Sequence, residues 1–162
     1  MKRWLFVGAL ALCMFLPGVA SAQNVKPRPF HGTGHSQMVI RFSETCLPPS
    51  VNPTFPIGCT YEGHGEVVAT HLGLSTVSVA GIIVPPPQYA NSLVIAANGD
   101  QLSFFSLETA DTSDMTITGG TGRFEGATGH IILVKTLDGD PIIDGTSFTQ
   151  RYVLTVKGTI TY

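Results

Sequence analysis

Between Phe148 and Tyr162 the chain changes sides at every residue. Phe148, Tyr152, Leu154, Val156, Ile160 and Tyr162 fall on one face, and Thr149, Arg151, Thr155, Lys157, Thr159 and Thr161 on the other. A period of two belongs to an extended strand with one buried side; a helix would scatter this pattern around its axis. The same alternation sets Met38, Ile40 and Phe42 against Gln37 and Arg41. It sets Val77, Val79 and Ile83 against Thr76 and Ser78, and Met115 and Ile117 against Asp114, Thr116 and Thr118. Turn chemistry separates the runs. Asn98-Gly99-Asp100 is a tight-hairpin signal between residues 93–97 and 102–107. Leu72-Gly73-Leu74 marks a bend, Pro85-Pro86-Pro87 ends a strand, and Asp138-Gly139-Asp140-Pro141 with Asp144-Gly145 shapes the last connection. About eight strands in unbroken succession, with no helical stripe, predict an all-β chain folded as a single antiparallel β-barrel. A two-sheet β-sandwich is the alternative.

The first residues set the expected compartment. Lys2 and Arg3 precede an apolar run from Trp4 to Leu16, Pro17-Gly18 breaks it, and Ala20-Ser21-Ala22 offers small residues for cleavage. This is the pattern of a secretory signal over residues 1–22, too short in its apolar part to span a bilayer. Residues 23–31, with Pro27 and Pro29, read as a flexible lead-in, and 32–162 as the barrel domain. An exported protein, periplasmic or secreted, is the expectation, with no membrane attachment after cleavage near Ala22.

Of nine Lys and Arg residues, Lys2 and Arg3 leave with the signal, so seven face eleven Asp and Glu and the mature formal charge is −4. With no basic cluster, nucleic acid is excluded as a partner. Cys46 and Cys59 remain after processing, and in an oxidising compartment such a pair is expected to be bridged. Closing a loop of that length contributes about 3 kcal/mol on the chain-entropy model.

The run Gly119-Gly120-Thr121-Gly122-Arg123-Phe124-Glu125-Gly126-Ala127-Thr128-Gly129 is the most distinctive segment. Phosphate binding would need a helix directly after it, whereas residues 130–137 are strand-like and no Gly-Lys-Ser/Thr occurs. A structural turn is the better reading: Gly119, Gly120, Gly122, Gly126 and Gly129 give the backbone its freedom, and Phe124 closes a barrel end. The run resembles the turn shared by the allene oxide cyclase and dirigent families. Residues 63–81 and 96–100 are similar to uncharacterised exported bacterial members. The resemblance implies an eight-stranded antiparallel barrel, a cofactor-free function that shapes or orients a reactive small molecule, and a trimer. No catalytic residue of those families is matched here.

Other candidates are single side chains. His71, placed by alternation on the inward face with Tyr61, Val67 and Ala69, is a candidate polar anchor for a ligand, with Tyr61 beside it; the alternative is a hydrogen-bonded core histidine. His31 and His35 lie at the flexible start of the domain; on a strand their spacing would put them on one face, too far apart to grip one ion easily, and His64 lies with Glu62 and Glu66 on an outward strip. No metal site is expected from them, nor calcium from Asp138, Asp140 and Asp144, which suit turns. No Gly-x-Ser-x-Gly, His-Glu-x-x-His or free nucleophilic cysteine occurs. The expected function is therefore a non-catalytic exported barrel, without cofactor, that binds a small apolar or amphipathic molecule or a protein partner. A cofactor-free cyclase or isomerase is the second expectation. A structural homo-oligomer, hinted at by Val68 and Leu72 on a polar face, is the third.

Overall fold

The computed structural model describes residues 26–43, 46, 59–83 and 88–162. The expected signal over 1–22 and the triple proline at 85–87 lie outside the described residues. The elements, in chain order, are β1 (Arg28–Arg41), β2 (Thr60–Ala69), β3 (Gly73–Ile82), β4 (Gln88–Ala96), β5 (Gln101–Glu108), β6 (Thr112–Gly120), a single 3-10 turn (Gly122–Phe124), β7 (Thr128–Leu137), β8 (Ile142–Ile143) and β9 (Ser147–Thr161). Each strand pairs antiparallel with the next, except that β7 pairs with β9, and β1 closes the circle on β9. The two-residue β8 adds only a short hairpin against Phe148 and Thr149. The result is a closed eight-stranded barrel with one extra strand.

The alternation read from the sequence becomes inside and outside. Ile40, Val67, Val94, Phe104, Met115, Ile131, Leu154 and Val156 are buried, and their odd-numbered or even-numbered neighbours face water. β1 begins at Arg28, within the stretch expected to be a lead-in. Phe30 explains the difference: it is buried at the barrel end, and pairing with β9 runs from Arg28 opposite Ile160.

The interior has two apolar clusters, one at each end. At one end Phe30, Leu72, Leu102, Phe124, Ala127 and Ile160 pack together; at the other, Ile40, Cys46, Cys59, Tyr61, Ile83 and Ala90 do so. Cys46 and Cys59 form the expected disulfide, with Cα atoms 5.0 Å apart. It ties the end of β1 to the start of β2, and this is called the disulfide end below. The opposite end is the glycine-turn end. There Gly122 (φ 59°) and Gly126 (φ 70°) adopt left-handed backbone around the fully buried Phe124. Gly122 also sits against the Asp100 carboxylate where a side chain would collide, and Arg123 Nε lies 3.4 Å from that carboxylate.

Two glycine pairs form the tight corners of the barrel. A β-carbon on Gly34 would run into the Glu66 carbonyl and Val67 Cα, and one on Gly65 into the His35 carbonyl and Ser36. Gly129 and Gly158 meet the backbone of β9 and β7 in the same way. In each case the neighbouring strand bends over the residue so closely that only hydrogen fits.

Phe124→Ala should empty the centre of the glycine-turn cluster, with an expected loss of about 3–5 kcal/mol of unfolding free energy. Chemical denaturation of the oxidised protein measures this; a loss below about 1 kcal/mol would show that Phe124 does not hold that end shut.

Candidate ligand-binding site at the disulfide end

At the disulfide end, the inward face of β5 to β7 turns polar. β5 presents Ser106 and Glu108 inward, β6 presents Ser113, and β7 presents Lys135. Glu108 lies directly across from Ser113 in the β5–β6 register. Its carboxylate accepts from the Ser106 hydroxyl at 2.6 Å, the Ser113 hydroxyl at 2.5 Å and the Lys135 ammonium at 2.7 Å. Lys135 Nζ also donates to the Thr109 carbonyl at 2.9 Å, bracing the β5–β6 hairpin. The Glu108 side chain is 9% exposed and that of Lys135 is 17% exposed. A charge pair this far from water needs every partner it has, because desolvation of each ion costs several kcal/mol. Here both ions are met on more than one side.

Tyr61 reaches in from β2. It pairs with Gly81 on β3, and its ring lies over that glycine in the space a side chain would fill. The residue is 7% exposed, and its hydroxyl makes no hydrogen bond among the described residues. Burial, and secondarily the negative charge of Glu108, push the Tyr61 phenol well above its ordinary range. Tyr152 on β9 is half-buried and is likewise raised, by burial first and then by Asp111. Gln150, buried beside it, donates to the Gly139 and Arg151 carbonyls at 3.1 and 2.9 Å. Met38, Ile40, Ile83 and Phe148 form the apolar side of the same end. The site therefore has an apolar wall, a neutral phenol held in its proton-bearing form, and a fixed ion pair.

The structure does not bring His71 and Tyr61 together. β2 ends at Ala69, the chain turns through Thr70–Leu72, and inside–outside parity is lost there. His71 sits in that turn at the glycine-turn end with φ 69°, while Tyr61 stands at the opposite end of β2. The His71 Nε2–H donates to the Pro29 carbonyl at 2.9 Å, and the ring meets Tyr162 edge-on, centroids 5.9 Å apart. Leu72, expected on the outer face, is buried in the end cluster for the same reason, whereas Val68 stays exposed. His31, His35, Glu62, His64 and Glu66 all face outward. Asp144 caps the β8–β9 turn: the amides and hydroxyls of Thr146 and Ser147 donate to its carboxylate and hold its pKa down to about 2.

Glu108 and Lys135 were legible in principle. Leu102, Phe104, Ser106 and Glu108 share a face, as do Ile131, Leu133 and Lys135. A carboxylate and an ammonium each continuing an apolar face to the same barrel end is a pairing signal that reading each strand alone misses.

The sequence matches no protein-family model and no curated protein. Solved structures do resemble it. The pterocarpan synthase dirigent protein GePTS1 superposes with a TM-score of 0.53 at 15% identity, covering 86% of this chain and 88% of that one. The pterocarpan synthase dirigent protein PsPTS1 gives a TM-score of 0.49 at 14% identity, covering 80% and 95%. The fold is a dirigent-type barrel. The first likeness carries that statement, and at this identity it concerns the fold alone.

Two outcomes follow from the site. Lys135→Met leaves the Glu108 carboxylate buried without its cation, and the expected cost is about 3 kcal/mol, the low end for a broken buried pair because Lys135 keeps some water. Adding Glu108→Leu should recover part of that loss in urea unfolding; no recovery would mean that the pair is not coupled. The second outcome concerns alkaline pH. Tyr61 and Tyr152 hold their protons in the fold after the unfolded chain has begun to lose them near pH 10. Protons bound by the native state alone favour folding less as pH rises, so their contribution is intact below pH 10 and falls above it. Tyrosinate absorbance of the native protein at pH 11 should report fewer than four ionised tyrosines, and Tyr61→Phe should reduce the alkaline loss of stability.

Proposed function

We propose that the chain is an exported, non-catalytic barrel that binds one small amphipathic molecule at its disulfide end. The observation that carries this reading is Tyr61, a largely buried phenol set against the apolar wall of Ile40, Ile83 and Phe148 and within electrostatic reach of Glu108. An eight-stranded barrel is wide enough to hold one small ligand among its side chains. Apolar surface would supply most of the affinity and the phenol the orientation. Export is supported by the disulfide and by the signal pattern of residues 1–22; among the described residues no helix is long and apolar enough to cross a membrane.

A cofactor-free cyclase or isomerase is the second reading, favoured by the same three groups. Glu108 is paired to Lys135 and acts electrostatically on Tyr61, so the three groups together would stabilise charge on a bound reactive molecule. It predicts turnover of an epoxy fatty acid above the spontaneous rate with a changed stereochemical outcome. A homo-oligomer rests on the paired, exposed Val68 and Leu74, which a sedimentation run at high concentration tests.

The binding reading is tested by titrating the oxidised protein with an anilinonaphthalene sulfonate dye, with native mass spectrometry for stoichiometry. One dye per chain is expected, bound about 3- to 10-fold more weakly by Tyr61→Phe, as loss of one hydrogen bond implies. Absence of uptake, or uptake unchanged in both Tyr61→Phe and Glu108→Gln, would overturn it.

A further inference from the structure

Outside the barrel, the wall formed by β2 to β6 dips into a groove of about 570 Å³. A register step lies at its β5–β6 edge. Ser103 pairs with Gly119 and Phe104 with Ile117, so Thr118 has no partner on β5. A bulge of this kind bends its strand and sharpens the local twist. Beside the buried Ser92, six polar residues on the outer face line the groove: Glu62, His64, Ser78, Asn91, Ser103 and Thr118. The registers lay them out in neighbouring rows. His64 stands opposite Ser78, which leads through Leu93 to Ser103; Glu62 stands opposite Ala80, which leads through Asn91 to Phe105. None of the six side chains makes a hydrogen bond or ion pair among the described residues. Where Asn91 meets Phe105, that ring stacks on Tyr89 with centroids 5.5 Å apart and planes 17° from parallel. The two aromatic residues are 43% and 50% exposed.

We propose that this groove binds a neutral oligosaccharide. Carboxylate, amide, imidazole and hydroxyl groups, with no side-chain partner among the described residues and all lining one trough, match a ligand that offers many hydroxyls and no charge. Neither Lys nor Arg lines the groove, and Glu62 repels anions, so phosphorylated, sulfated and uronic chains are disfavoured. The exposed Tyr89–Phe105 pair supplies apolar aromatic surface for the C–H face of a sugar ring. A second copy of the chain fits less well. Pressing this wall against its like would take Glu62, His64 and Asn91 out of water without partners, and such polar burial costs more than the few apolar neighbours return. The groove is shallow, so a Kd of about 10⁻⁴ to 10⁻³ M is expected.

The test is titration of the full oxidised chain with cellohexaose, laminarihexaose, xylohexaose and mannohexaose, followed by NMR shifts or retardation in polysaccharide gels. At least one should bind. Phe105→Ala and Asn91→Ala should each weaken it about tenfold or more, and Thr118→Arg, which fills the trough, should abolish it. Tyr61→Phe at the interior site should leave it unchanged. The exposed positions of these residues let circular dichroism confirm that each variant is folded. Binding to none of the four sugars overturns the proposal, as does binding that survives the Phe105 and Asn91 changes. Self-association that buries this wall would assign it to a second copy instead.

Discussion

The pairing of β1 with β9 is the constraint on which the other features depend. It runs from Arg28 opposite Ile160 to Arg41 opposite Ser147, and it turns a meander into a closed surface. Once the sheet is closed, alternation has only two destinations, and the half of each strand that turns inward must be accommodated in a fixed volume. An open sheet could leave a charged residue at its rim in water. In a barrel, Glu108 and Lys135 have no such exit, and their mutual position follows from the registers of β5 with β6 and β7 with β9.

That arrangement explains why the polar belt lies where it does. The glycine-turn end is filled by Phe30, Leu72 and Phe124 and leaves no room for a charge. The disulfide end carries the longer connections, and there the ammonium of Lys135 also anchors the β5–β6 hairpin through the Thr109 carbonyl. A buried ion pair contributes little net stability compared with well-packed apolar residues of similar size. Its presence in a small core is therefore better explained by the field it sets up than by what it stabilises, and the phenol of Tyr61 feels the charge of Glu108.

Fold class was readable because alternation is a local signal that closure preserves. Phe148 to Tyr162 alternates in the sequence and does so in the structure, as β9. The disulfide was readable because two cysteines admit one pairing. Boundaries were less so. Pro27 and Pro29 suggested a loose lead-in, yet edge pairing and burial of Phe30 order the chain from Arg28. His71 shows where parity reasoning stops: two residues past the end of a strand, counting odd and even no longer tells inside from outside. The Glu108 cluster escaped a strand-by-strand reading for another reason. Its members come from β5, β6 and β7, and their meeting depends on registers that no single strand encodes. The outer groove hinges on a one-residue slip at Thr118, which leaves no mark on composition.

The corners at Gly34–Gly65 and Gly129–Gly158 have a bearing on how such a barrel can change over time. Along those seams the lumen is walled by bare backbone, so substitution there has no side chain to enlarge or shrink, and any addition collides with the facing strand. Variation in what the interior accepts is thereby channelled into the remaining strands. The corners act as fixed creases, and new specificities would be written on the panels between them.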